Sequence, residues 1–110
     1  MKKIGGNTDL ILKVKNQEAV NSIGEKDTEW VNYKTIHGYL DFMNEGTGRT
    51  SFNSKIIEST HVFICDYVKI DKKATELKAF CNGQEFDVTY IDNPMNLNYH
   101  LEIFLDYVGD

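Results

Sequence analysis

The sequence predicts an all-β (mainly β) domain, a small antiparallel β-barrel of about five to six strands. Three features of its 110 residues support this. Apolar side chains recur at alternate positions in several short runs. An Asn-Gly pair, Asn82-Gly83, separates two of those runs, as a two-residue hairpin requires. No segment carries the apolar stripe of an amphipathic helix. A closed barrel is preferred over a sandwich because closure removes exposed strand edges in so small a domain.

The elements follow in order. Asp9–Lys15 sets Leu10, Leu12 and Val14 against Ile11, Lys13 and Lys15, the pattern of a half-buried strand. Gln17–Asp27 reads as a loop with at most one short helical turn, closed by Gly24. Glu29–Met43 is rich in aromatic and β-branched residues and suits a long strand. Gly38 inside it marks a bulge or a sharp bend at a barrel corner. A polar stretch, Met43–Thr60, then separates the second strand from the third. Loops of this length are uncommon in compact domains and are usually functional or disordered. His61–Cys65 is the third strand. Glu76–Ile91 is the hairpin, with Phe86, Val88 and Tyr90 on one face and Asp87, Thr89 and Ile91 on the other. Asp92–Asn98 is a turn-rich connection. Tyr99–Val108 closes the chain, with Tyr99, Leu101, Ile103, Leu105 and Tyr107 on one side.

The length fits a single domain, residues 1–110. Hydrophobic residues make up 41%, enough for a modest core and too many for a disordered chain. No apolar run approaches the roughly 18 residues of a membrane span. The start, MKKIGGNTDLILK, lacks the apolar centre of a signal peptide, so an unexported protein is expected. Cys65 and Cys81 are then free thiols. The net charge of −5 argues against ordinary duplex-DNA binding. The charge is also uneven. No Lys or Arg follows Lys78, whereas Glu85, Asp87, Asp92, Glu102, Asp106 and Asp110 do. Such asymmetry is either a plain solvated surface or a subunit whose two sides differ in sign, suited to head-to-tail contact.

Catalytic and cofactor motifs are wanting. His37, His61 and His100 stand far apart in predicted strands and give no metal-ligand spacing, and two cysteines make no zinc site. Both cysteines lie in apolar strands, where a thiol is usually inert packing. Asn44–Thr50 contains Gly-x-Gly without the third glycine or the strand-turn-helix context of a nucleotide fingerprint. No enzyme activity and no cofactor or metal are expected. Arg49, the only arginine, is either a solvated loop charge or a partner for phosphate or a neighbour's carboxylate. Tyr90, Tyr99, Phe104 and Tyr107 are interleaved with Asp and Glu, unlike a single-stranded nucleic-acid platform.

The C-terminal half carries an acidic-hydrophobic step (Asp66, Ile70, Asp71, Lys73), the Asn82-Gly83 hairpin, a Phe86-x-Val88 strand, Asn93-Pro94, and a last strand with Leu101 and Ile103. Upstream, a strand beginning at Trp30 precedes the long loop. This order, over Trp30 to Val108, resembles the head-closure (stopper, or head-tail connector) proteins of tailed phages and of prophages of Gram-positive bacteria. Many relatives have arginine where Val68-Lys69 stand here. The resemblance implies a barrel that is a monomer when isolated and a twelve-membered ring in the virion. The ring would sit under the portal-adaptor protein and join the tail-completion protein, after assembly in the host cytoplasm. The loop would gate the DNA channel through Asn44, Glu45, Gly46, Thr47, Gly48, Arg49, Thr50, Ser51, Phe52, Asn53 and Lys55, in transient, non-specific contact with the genome. A polar, glycine-containing loop of this kind is expected to order only beside neighbouring copies. Subunit contacts would involve Asp66, Lys69, Asp71, Lys72 and Lys73. No membrane contact is implied. The alternative reading is a small-barrel binding module for a peptide or single-stranded nucleic acid.

Overall fold

Alternating burial builds six strands in the computed structural model, which describes residues 5–16, 29–43 and 59–109. They are β1 (Thr8–Asn16), β2 (Glu29–Phe42), β3 (His61–Asp66), β4 (Leu77–Cys81), β5 (Gln84–Asp92) and β6 (His100–Gly109). Each pairs antiparallel with its neighbours in the order β1-β2-β3-β6-β5-β4. β4 pairs back to β1, so the sheet closes into a barrel, as expected. The region read as a loop between β1 and β2, residues 17–28, lies outside the described residues.

Inward positions follow the two-residue period. Leu10 and Leu12 of β1, Phe63 and Cys65 of β3, and Leu77, Ala79 and Cys81 of β4 are buried in one cluster. Ile36 of β2, Phe86 and Val88 of β5, and Leu101, Ile103 and Leu105 of β6 complete it. The link from β3 to β4 crosses one end of the barrel, the upper end. There Tyr67, Val68, Ile70 and Ala74 pack against the core and plug it. The hairpin, the end of β2 and the start of β3 lie at the opposite, lower end.

Asn82 and Gly83 form the predicted turn, with φ of 53° and 77°. Both are in the left-handed region that a type I′ hairpin needs. Three bulges bend the sheet, each one extra residue opposite none. They fall at Tyr33 of β2, Thr89 of β5 and Val108 of β6. Gly38 is therefore not a bulge. It is the residue at which β2 leaves β1 and passes to β3, pairing Thr8 on one side before Tyr39 pairs Ile64 on the other. The bulge at Thr89 also corrects the predicted faces of β5. It inverts the alternation, so Ile91 packs against the core while Tyr90 turns outward beside Phe104, ring centroids 6.2 Å apart. Outside the main cluster, Val62 and Phe104 are opposite each other on the outer face yet are buried.

The turn-rich link from β5 to β6 is a short 3₁₀ turn, Pro94–Asn96. Met95, Asn96 and Asn98 all take positive φ, 53°, 58° and 59°. Asparagine tolerates this region, while methionine rarely adopts it. The Asn93 amide clasps the link, donating to Asn98 Oδ1 at 2.7 Å and accepting the Asn98 N–H at 3.1 Å. Met95 is left 87% exposed at the tip.

Candidate assembly surfaces

The two ends of the β2–β3 loop meet in a fixed root at the lower end. Met43 N–H donates to the Thr60 carbonyl at 2.8 Å, and Thr60 N–H donates to Leu105 of β6 at 2.9 Å. The Thr60 hydroxyl accepts the Tyr107 N–H at 2.8 Å and lies 2.8 Å from His61 Nδ1. One residue earlier, Ser59 is buried and its hydroxyl reaches Thr89 Oγ1 on β5 at 2.6 Å. Residues 59–60 thus tie the end of the loop to β6 and β5 before β3 begins. The predicted gating residues themselves (Asn44, Glu45, Gly46, Thr47, Gly48, Arg49, Thr50, Ser51, Phe52, Asn53 and Lys55) lie outside the described residues. Thr60 and Ser59 were not legible as anchors, since nothing in a Ser-Thr pair distinguishes it from the rest of a polar loop.

His61 heads a line of aromatic contacts at this root. Its ring meets Phe42 and Phe86 edge-on, both at 5.0 Å between centroids, and Phe86 meets Tyr107 at 5.8 Å. Loss of solvent lowers the pKa of His61 below the usual histidine value, partly offset by Asp106. A depressed pKa means that the unfolded chain binds the proton more readily than the folded one. The stability held by neutral His61 is therefore complete above the ordinary histidine pKa and is lost as pH falls through the lower folded value. Denaturant melts at pH 7.5 and pH 5.5 should show a larger acid loss for the wild-type chain than for His61→Gln. Equal losses would show that His61 titrates as if in water.

The predicted subunit-contact residues fall on or beside the upper plug. Asp66 ends β3, half-buried and opposite His100. Lys69, Lys72 and Lys73 are exposed on the link that follows. Asp71 is tied to β2: the Tyr33 hydroxyl donates to its Oδ1 and accepts the Asp71 N–H at 3.1 Å. That bond, with Lys72 and Lys34 nearby, holds the Asp71 carboxyl below the usual carboxylate range. Lys73 N–H donates to Glu76 Oε1 at 2.9 Å, closing a 3₁₀ turn at Ala74–Glu76. The structure brings Asp71, Lys72 and Lys34 together.

A third surface lies on the outside of β1 and β4. Lys13 Nζ sits 4.6 Å from the Phe80 ring centre, and Lys15 and Lys78 each sit 5.4 Å from that of Trp30. Lys78 also bonds Glu85 at 2.8 Å. Aromatics here are interleaved with lysine, unlike those near the C terminus. The Lys-x-Lys and Lys-x-Phe spacings were visible in the sequence. The pairing of β1 with β4, which joins them, was not.

Chemistry-bearing groups are scattered. Cys65 and Cys81 are buried, and burial pushes the Cys65 thiol up to about 11. His37 pairs with Asp9 at 2.6 Å and His100 with Glu102 at 3.3 Å, each on the barrel's outside. Among the described residues no cluster of three His, Cys, Asp or Glu side chains could hold a metal.

The barrel and its rooted loop can be set beside known proteins. Among curated protein sequences none matches the chain. Among solved structures, one chain of the "Virion of native gene transfer agent (GTA) particle" is similar, with a TM-score of 0.58 at 12% identity. The match covers 94% of this chain and 96% of that one, so the fold is shared end to end. The sequence pattern of phage head completion proteins matches residues 4–107. With nearly its whole length inside that match, this chain belongs to the phage head completion protein family and has a structural role in the phage head.

Proposed function

We propose that the chain is a neck subunit of the virion, without catalytic activity, that joins head to tail and closes the DNA channel after packaging. Isolated copies are monomers made in the host cytoplasm. In the particle they form a ring, a dodecamer, between the portal-adaptor protein and the tail-completion protein. The β2–β3 loop closes the channel, with Asn44–Asn53 and Lys55 meeting their counterparts around the ring and touching the genome transiently. Asp66, Lys69, Asp71, Lys72 and Lys73 contribute to contacts at the upper end.

The loop root is the observation that supports this reading best. A closed barrel has no spare backbone edge with which to bind a neighbour. The long segment leaves it between Met43 and Thr60, which are hydrogen-bonded to each other, with Thr60 bonded in turn to β6. A segment fixed at both ends on a rigid body can be held at one radius in every subunit of a ring.

One observation favours a nucleic-acid module instead, the lysine-aromatic surface of β1 and β4. There the ammonium groups lie over the rings that bases would stack on, so the platform is already occupied.

Removal of the gene from a particle-producing host tests the proposal. DNA-filled heads without tails are expected. A chain with residues 44–58 replaced by a short Gly-Ser link should give joined particles that leak DNA. Full yields of DNA-retaining particles from the deletion strain would overturn the reading.

A further inference from the structure

A row of charges runs around the outside of the barrel. Lys13 of β1 stands opposite Lys78 of β4, Lys78 opposite Asp87 of β5, and Asp87 opposite Asp106 of β6. All four point outward, because the residues beside them in each strand, Leu12, Ala79, Val88 and Leu105 among them, line the core. The central pair is opposite in sign. Each outer pair is a like-charge pair in direct register, which is unfavourable in an isolated sheet. Among the described residues, neither Lys13 nor Lys15 has a carboxylate within salt-bridge distance, and Asp106 has no such cation. Asp87 lies directly across from Asp106, and the charge of Asp106 also reaches His61.

We infer that the outer face of β1 in one subunit docks on the outer carboxylates of β6, Glu102 and Asp106, which flank the covered Phe104, in a second copy of the chain. This rests on the ring proposed for the virion and names the faces that make it. β1 and β6 are three strands apart whichever way the six-stranded barrel is followed, so they lie on opposite sides. Faces of opposite sign on opposite sides cannot meet within one molecule. Nor do they suit a twofold dimer, which sets one patch against itself. They match head to tail. Contact faces that are nearly opposed give a ring of many subunits or an open filament.

Each face also has apolar surface beside its charges, as interfaces do. Around β1 these are Ile11 and the rings of Phe80 on β4 and Trp30 on β2, all half-buried, with Lys15 extending the positive row. On the other side Ile64 of β3 lies opposite Glu102 of β6, which extends the negative row. Lys13 of one copy then neutralises Asp106 of the next, and both like-charge pairs are relieved at once.

Cysteines in the full-length chain test this without touching the charges. A chain carrying Ile11→Cys and Ile64→Cys, oxidised at on the order of 1 mM in low salt, should give a ladder of dimers, trimers and longer species. Each chain with one introduced cysteine alone should stay monomeric, since the native Cys65 and Cys81 are buried, and a mixture of the two should stop at dimers. Lys13→Asp or Asp106→Lys in the double-cysteine chain should abolish the ladder while raising the thermal midpoint, since each removes a like-charge pair. Mixing those two chains should restore it. Dimers from one single-cysteine chain, or ladders unchanged by the charge reversals, would overturn the head-to-tail faces. Sedimentation separates the remaining failures. Ring-sized wild-type oligomers without a ladder would discard these faces and keep the ring. Monomers at every concentration, also without a ladder, would discard these faces and leave the ring to be judged by the deletion strain.

Discussion

Gly38→Ala is expected to cost about 3 kcal/mol, from overpacking of a filled site, and to lower the thermal midpoint by about 15 °C. A Cβ at Gly38 would fall well inside contact distance of the Ile64 carbonyl oxygen and 2.9 Å from both Cys65 Cβ and the Phe63 ring. Those atoms belong to the backbone of β3 and the middle of the core, so no flexible side-chain tip can swing aside. β2 must instead lift from β3. That seam is also what holds the two ends of the long loop together, because Met43 and Thr60 continue it. Loss of the seam should therefore expose the loop root before the rest of the barrel opens. Far-UV circular dichroism melts read the midpoint, and amide exchange at Phe42 and Met43 reads the root. Thr35→Ala, an exposed site on the same strand, is the control and should change stability by less than about 0.5 kcal/mol. Equal midpoints for the two variants would mean that β2 and β3 are not so closely apposed.

Gly38 also shows how far sequence alone reaches. A glycine inside a β-branched, aromatic strand announced a special place, but a bulge, a corner and a close approach all ask for glycine in the same way. Which one it is depends on what lies across the strand, and that partner, Ile64, is distant in sequence. The hairpin at Asn82-Gly83 was fully legible because turn, register and both strands are local. The faces of β5 were legible up to Val88 and then inverted, since the bulge at Thr89 answers to β6 and to Ser59, not to its own neighbours. The charge imbalance between the early and late parts of the chain was visible as well. Its conversion into opposed faces needed the closing pair β1–β4, which no local signal specifies. The upper plug obeyed the same logic: Ile70 and Asp71 were picked out, whereas the Tyr33 hydroxyl that holds Asp71 was not.

Phe86→Ala should remove about 4 kcal/mol, by the combined loss of transfer energy and the cavity left behind. Phe86 is fully buried, and its ring lies edge-on between His61 and Tyr107. Such aromatic pairs add about 0.5–1.5 kcal/mol beyond the area they bury. For a domain of this size the loss is a large part of its stability, commonly about 5–15 kcal/mol, so the denaturation midpoint should fall steeply with an unchanged slope. Phe86→Leu keeps most of the volume and should recover more than half. Phe80→Ala supplies the contrast. Phe80 sits one hairpin strand away, opposite Glu85 and facing outward under Lys13, so its removal should cost well under half as much in the monomer. It should instead weaken contact between copies, because Phe80 belongs to the face proposed to dock on β6. The two phenylalanines thus separate folding from assembly. If Phe80→Ala were the more destabilising of the two in dilute monomer, the inside and outside of the hairpin would be reversed. The charge row built on its outer face would then have no basis.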